Sequence, residues 1–204
     1  MLILSLFMSI NTFAMPVNKE IILIDPGHGG WDPGKVGKND ELEKEINLKI
    51  SEYLQMFLEQ GGAMAFLTRA EDVALADKKN ADLKARTIMP DDLQATILIS
   101  IHQNSFNNGN VKGGQVFYYE GSEKGKILAE AIQNNINIFL DNGTKPAKAN
   151  DNYYILKNSE VAAVIIECGF LSNVEEARRL MESDYQQKVA WAVYMGLCEY
   201  FKGA

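Results

Sequence analysis

Ala95-Thr96-Ile97-Leu98-Ile99-Ser100-Ile101-His102 is the stretch on which the fold turns. Side chains alternate along a strand, so Ile97, Ile99 and Ile101 share one face while Leu98 and Ser100 share the other. Apolar groups on both faces predict a strand in the middle of a sheet that is covered on both sides. The run then ends on a histidine. Two further apolar runs end in the same manner. Ile21 to Ile24 leads through Asp25-Pro26-Gly27 to His28, and Val161 to Ile166 leads to Glu167.

Between these runs the period changes. Leu42, Ile46, Ile50, Leu54 and Phe57 recur at helical spacing within 41–58, and Gly61-Gly62 stops the helix. Ala63 to Leu67 reads as a strand, 68–80 as a polar loop, and Ala81 to Met89 as a helix ended by Pro90. A strand over 115–119, an amphipathic helix over 124–140 and a short strand over 153–156 follow, with helices from Glu167 to Phe201. Strands alternating with helices predict a single α/β domain. Its sheet is expected to be twisted, mostly parallel, of about six strands, with helices on both faces.

The bulk numbers agree with a globular domain. The chain has 204 residues, 47% hydrophobic and 23% charged, which suits one well-buried core. A formal charge of -7 argues against a nucleic-acid partner, which calls for a basic face. With only two cysteines, Cys168 and Cys198, there is no disulfide framework and no cysteine-rich metal site. Leu2 to Ile10 is an apolar run too short to span a bilayer, and Thr12 and Ala14 have the spacing a signal peptidase reads. Residues 1–20 are therefore read as a signal peptide or membrane-targeting segment with a linker, 21–204 as the one folded domain, and the protein as exported.

His28 and His102 are the only histidines, and each follows an apolar strand, as does Glu167. Open α/β sheets build their sites at the carboxyl ends of the strands. Two imidazoles and a carboxylate suit zinc, whose catalytic sites take three protein ligands and leave one position open. The third ligand is expected from the start of the first helix, where Glu41, Glu43 and Glu45 are candidates that spacing alone does not separate. A solvated helix start, favoured by the helix dipole, is the competing reading of all three. Glu167 would be costly to bury without a partner. Strand alternation sends Cys168 to the opposite face from Glu167. Asp25 is expected to anchor the turn before Pro26. Tyr118, Tyr153 and Tyr154 are expected to pack the sheet edge in preference to lining a groove.

Taken in order, the motifs are specific. They run Asp25-Pro26-Gly27-His28-Gly29-Gly30 with Asp32, Gly34 and Gly37; Glu43-Lys44 with Asn47-Leu48; Leu67-Thr68-Arg69 with Asp72; Ser100-Ile101-His102 with Asn104; and Glu167 before Gly169-Phe170-Leu171-Ser172-Asn173. From Ile21 to Tyr200 the chain resembles the zinc-dependent N-acetylmuramoyl-L-alanine amidases of bacterial cell-wall turnover. Within that family it looks most like the germination-specific enzymes, which prepare spore-cortex peptidoglycan for muramic-δ-lactam formation. The resemblance implies that His28, Glu43 and His102 bind zinc and that Glu167 is the general base. The implied substrate is the amide between the lactyl group of N-acetylmuramic acid and the L-alanine of the stem peptide, with an activating envelope protein as an expected partner. A zinc peptidase cutting within the stem and a non-catalytic envelope-binding scaffold are the alternatives. Met89-Pro90 departs from the small residue and Asn common in relatives, so the helix is expected to end there. Arg86 keeps its family position, with a structural or substrate-contact role expected.

Overall fold

The computed structural model describes residues 15–203, so the apolar run and the cleavage position expected after Ala14 lie outside the described residues. In chain order the elements are β1 (Ile21–Pro26), α1 (Glu43–Gln60), β2 (Met64–Leu67), α2 (Lys79–Asp92), β3 (Ile97–Asn104) and β4 (Gln115–Tyr118). Then come α3 (Glu123–Phe139), β5 (Lys148–Ala149), α4 (Tyr154–Asn158), β6 (Ala162–Phe170), α5 (Val174–Leu180) and α6 (Ser183–Gly203). One six-stranded sheet runs in the order β2-β1-β3-β6-β4-β5. The strands β2, β1, β3 and β6 are parallel, while β4 runs antiparallel to β6 and carries β5 beside it. The expected α/β architecture is the one observed.

The alternation along β3 does sort the core into two layers. Ile97, Ile99 and Ile101 join Ile46, Ile50 and Leu54 of α1, together with Leu128 and Ile132 of α3 and Val189 and Val193 of α6. Leu98 joins Leu23 and Ile165 on the other face, under Ile155 and Leu156 of α4, with Leu83 and Met89 of α2 packed alongside. No helix among the described residues is long and apolar enough to cross a membrane.

Two local expectations are corrected. Residues 153–156 do not form a strand, because Tyr153 is the N-cap residue of the short helix α4. Ile155 and Leu156 are neighbours in sequence yet both enter the same core cluster, which strand alternation would forbid. A four-residue apolar run carries no period that separates the two states. Likewise α2 does not end before Pro90 but runs through it to Asp92. Proline removes one ladder donor, a loss confined here to the last turn. Its own carbonyl accepts from the Ala95 amide at 2.8 Å, so the chain turns directly into β3.

Candidate metal centre

His28 lies just beyond β1, with a backbone φ of 63°, the left-handed region that a non-glycine residue enters only when its surroundings hold it there. Two ties do so. The amide of Gly29 donates to the carbonyl of Asp32 and the amide of Asp32 to that of Gly29. Arg86 Nη2 donates to the His28 carbonyl at 2.8 Å. The ring is also fixed, with Nδ1 lying 2.9 Å from Asp32 Oδ2 and Nε2 lying 3.3 Å from Glu43 Oε1. Burial alone would lower the His28 pKa, but the hydrogen bonds and charges of Glu43 and Asp32 outweigh it and hold it above 6.5.

Glu43 is the first residue of α1 and only 4% exposed. Loop and helix are tied both ways, since the Glu43 amide donates to the Lys35 carbonyl at 3.0 Å and the Lys35 amide donates to Glu43 Oε2 at 2.7 Å. Glu43 Oε1 accepts the Gln103 amide at 3.0 Å and lies 3.0 Å from His102 Nδ1. Burial opposes ionisation, yet His102 and His28 hold this carboxyl well below the usual carboxylate range. The other two glutamates are accounted for elsewhere. Glu41 folds back on the amide and side chain of Asn39 at 2.9 Å, and Glu45 is exposed.

His102 lies within β3, which continues two residues past it. A β-carbon at Gly27 would fall 2.2–2.7 Å from three atoms of the His102 ring, so this position has to lack a side chain. At Gly34, where φ is 67°, a β-carbon would meet Glu43 Oε2 at 2.6 Å and His28 Cδ2 at 2.7 Å. The Gly-rich loop thus leaves room for the three side chains to converge. His28, Glu43 and His102 each offer one ligand atom, and those atoms all lie within 4.8 Å of one another, a group that could hold a metal ion.

Glu167 pairs in register with His102 across β3 and β6, so the two side chains leave the sheet on the same face. It is 8% exposed, and its Oε2 has no hydrogen-bond partner among the described residues. Tyr153 donates its hydroxyl to Glu167 Oε1 at 3.3 Å. Burial raises the Glu167 pKa above 4.5, and the charge of Glu43 adds to this while His102 and Tyr153 oppose it. Cys168 enters the opposite core layer with α1, α3 and α6, as alternation requires, and burial raises its thiol pKa.

Beneath the loop sits a buried ionic network. Asp25, fully buried, accepts from Thr68 Oγ1 at 2.7 Å, Ser100 Oγ at 2.7 Å and Arg86 Nη1 at 2.6 Å. Arg86 also donates to Asp82 Oδ1 at 2.6 Å and to the Pro26 carbonyl at 2.9 Å. Asp25 is therefore an anchor, and Arg86 is a structural cation that shapes the backbone of the His28 loop. In the sequence Asp32 stands out only as a motif residue, and Tyr153 is expected at the packed sheet edge. Tyr153 does pack edge-on against Phe117 at 5.5 Å, but it also reaches Glu167, and with Tyr154 it lines the cleft. That cleft, of about 440 Å³, contains His28, Glu43, His102 and Glu167 and is rimmed by Trp31, Lys35 and Lys79.

The germination-specific N-acetylmuramoyl-L-alanine amidase of Bacillus subtilis (strain 168) is 35% identical over 197 residues, covering 93% of this chain and 83% of that protein. The structure of the CwlD amidase from Clostridioides difficile, solved in complex with the GerS lipoprotein, is 34% identical. It covers 91% of this chain and 100% of that one, with a TM-score of 0.86. The catalytic domain of CwlV, an amidase from Bacillus (Paenibacillus) polymyxa var. colistinus, is 28% identical with a TM-score of 0.81, covering 90% of this chain and 98% of that one. The family model described as N-acetylmuramoyl-L-alanine amidase matches residues 22–199, and the chain belongs to that family of peptidoglycan hydrolases.

Proposed function

We propose that this enzyme is a zinc amidase in which His28, Glu43 and His102 hold the metal and Glu167 carries the proton. The observation behind the reading is the convergence of two imidazoles and a carboxylate, beside a buried glutamate with a free oxygen, in one cleft. The donor set fits zinc. Metal–ligand bonds of about 2.0–2.2 Å put tetrahedral ligand atoms roughly 3.3–3.6 Å apart. Glu43 Oε1 lies 3.3 Å from His28 Nε2 and 3.0 Å from His102 Nδ1, separations that small shifts would adjust.

Zinc, when bound, supplies Lewis-acid polarisation of the scissile carbonyl and of the attacking water. The rest falls to the protein. Asp32 holds the His28 ring so that Nε2 faces inward, and Glu43 is aimed by the amides of Lys35 and Gln103. Glu167 accepts the proton of the attacking water through its unpartnered oxygen and returns it to the leaving alanine nitrogen. Tyr153 keeps the other oxygen in place.

The cleaved bond is the amide between the muramic lactyl group and L-alanine. The site of action is the cell envelope, and the role is spore-cortex maturation and germination; the name of the Bacillus subtilis relative, a germination-specific amidase, supports the part in germination. An envelope protein that activates the enzyme is part of the proposal, prompted by the lipoprotein bound to CwlD. Peptidoglycan digested with zinc-loaded protein should release intact stem peptides by mass spectrometry, and chelator-treated protein should release none. Fragments cut within the stem would replace the amidase reading with a peptidase, and binding to wall fragments without turnover would favour a scaffold.

A further inference from the structure

A second trough lies beside the metal-centre cleft. It encloses about 290 Å³ between Val36 and Lys38 on one side and Phe106 and Ser172 on the other. Lys35 and Ser105 line both cavities, so the two adjoin. Lys35 and Lys38 are the only charged residues lining the trough, and both are exposed. Neither ammonium group has a hydrogen-bond or ion-pair partner among the described residues. Phe106 and Val36 stand 59% and 41% exposed at its edge. A carboxylate-free basic trough runs against the charge of the whole chain, which is -7. Elsewhere in the metal-centre cleft Trp31, Asn152 and Tyr154 present aromatic and amide groups, beside the Lys79 and Asp32 side chains.

We propose that the trough takes the peptide side of the substrate, and that Lys35, with Lys38, reads a carboxylate of the stem peptide. The inference rests on the amidase reading above. In a muramyl peptide the lactyl carboxyl is consumed in the amide, so the sugar side is neutral while the stem peptide carries the free carboxylates. The aromatic rings of Trp31 and Tyr154 suit a sugar, whose apolar ring face packs on an aromatic ring that also offers a polar edge. The lysine trough suits an acid. Each ammonium is a point charge on a flexible stem, so it can follow a mobile peptide without demanding one geometry. Lys35 engages Glu43 only through its backbone amide and carbonyl, so its side chain can be changed without cutting those two bonds.

The test uses two muropeptides that differ only in whether the second stem residue bears a free carboxylate or its amide. The expected result is that the zinc-loaded enzyme favours the acid by roughly fivefold in kcat/KM, the scale of an exposed ion pair, with the difference in KM. In Lys35→Gln/Lys38→Gln that ratio should fall toward one. A ratio unchanged in the double variant, including an equal loss on both substrates, would overturn the proposal. Should the unaltered enzyme alone cleave neither muropeptide, the activating envelope partner proposed above is required for turnover. Calorimetric binding of the free stem peptide in acid and amide forms then decides the lysines separately. Preference for the acid that the double variant loses upholds their role, and equal binding of the two forms removes it.

Discussion

Asp32 Oδ2 lies 2.9 Å from His28 Nδ1, and that contact turns the opposite ring nitrogen toward Glu43 Oε1, 3.3 Å away. A carboxylate behind a ligand histidine fixes its tautomer and the direction of its ring. Here the same carboxylate also accepts, through Oδ1, the amide of Gly34 at 3.1 Å, so one side chain sets both the ring and the loop around it. Asp32→Ala should weaken zinc binding by about 10- to 100-fold, the usual effect of losing such an outer partner. Competition against a chromophoric chelator measures this directly. Affinity unchanged in the variant would mean that the backbone ties at Gly29 and His28 orient the ring unaided.

The free oxygen of Glu167 carries a separate expectation. Glu167→Gln keeps the shape of the side chain, so the protein should still bind one equivalent of zinc. It should lose roughly two to four powers of ten in kcat, the range for positioned general acid–base groups. A fully active variant would remove Glu167 from the mechanism. Tyr153→Phe should have a smaller effect, because it deletes one hydrogen bond at 3.3 Å and leaves the carboxylate in place. Single-turnover kinetics on a defined muropeptide would rank the two variants.

Room is as important here as charge. Gly27→Ala would put a methyl group 2.2–2.7 Å from the His102 ring, and the clash involves the ring itself and not a flexible side-chain end. The ring has to swing away from Glu43, so the variant should lose tight zinc. Overpacking of this kind typically costs about 1–3 kcal/mol of stability as well. Metal analysis of the dialysed protein, alongside its melting temperature, separates the two effects. Tight zinc retained at full stoichiometry would show that the loop relaxes instead.

Much of this arrangement was legible from local pattern. The alternation of Ile97, Ile99 and Ile101 against Leu98 and Ser100 assigned β3 to the middle of a two-faced sheet, and the stripe Ile46, Ile50 and Leu54 placed α1 on one layer. Gathering His28, His102 and Glu167 toward the carboxyl ends of neighbouring strands followed from parallel topology, although β3 runs two residues past His102 and β6 three residues past Glu167. Spacing did not distinguish Glu43 from Glu41 and Glu45. What separates them is a loop conformation that bends Glu41 onto Asn39 and ties Glu43 to Lys35. The contact of Tyr153 with Glu167 was hidden for a related reason, since its neighbours form a short apolar run readable as strand or helix. Arg86 and Asp25 are 61 positions apart, and no local period reports a pair that only the packed sheet and α2 bring together.

That pair leads to a prediction about acid. Burial works against the Asp25 carboxylate, but the charge of Arg86 and the hydroxyls of Ser100 and Thr68 outweigh it, so the folded pKa lies below 3.8. Asp25 therefore contributes its full stabilisation above pH 3.8 and loses it as pH falls through the lower folded value. Urea unfolding of the metal-free protein should accordingly show stability declining on the acid side of that point. Asp25→Asn should flatten this limb while lowering stability at neutral pH, because Arg86 keeps Asp82 but loses the more deeply buried of its two carboxylate partners. Arg86→Met should be the more damaging change, costing about 3–5 kcal/mol, since it strands a fully buried carboxylate. Combining the two substitutions should recover part of that loss, as removing both members of a buried pair is milder than removing one. A double variant as unstable as the sum of the singles would mean that the pair is not coupled. The Pro26 and His28 carbonyls that Arg86 also holds would then be its main contribution.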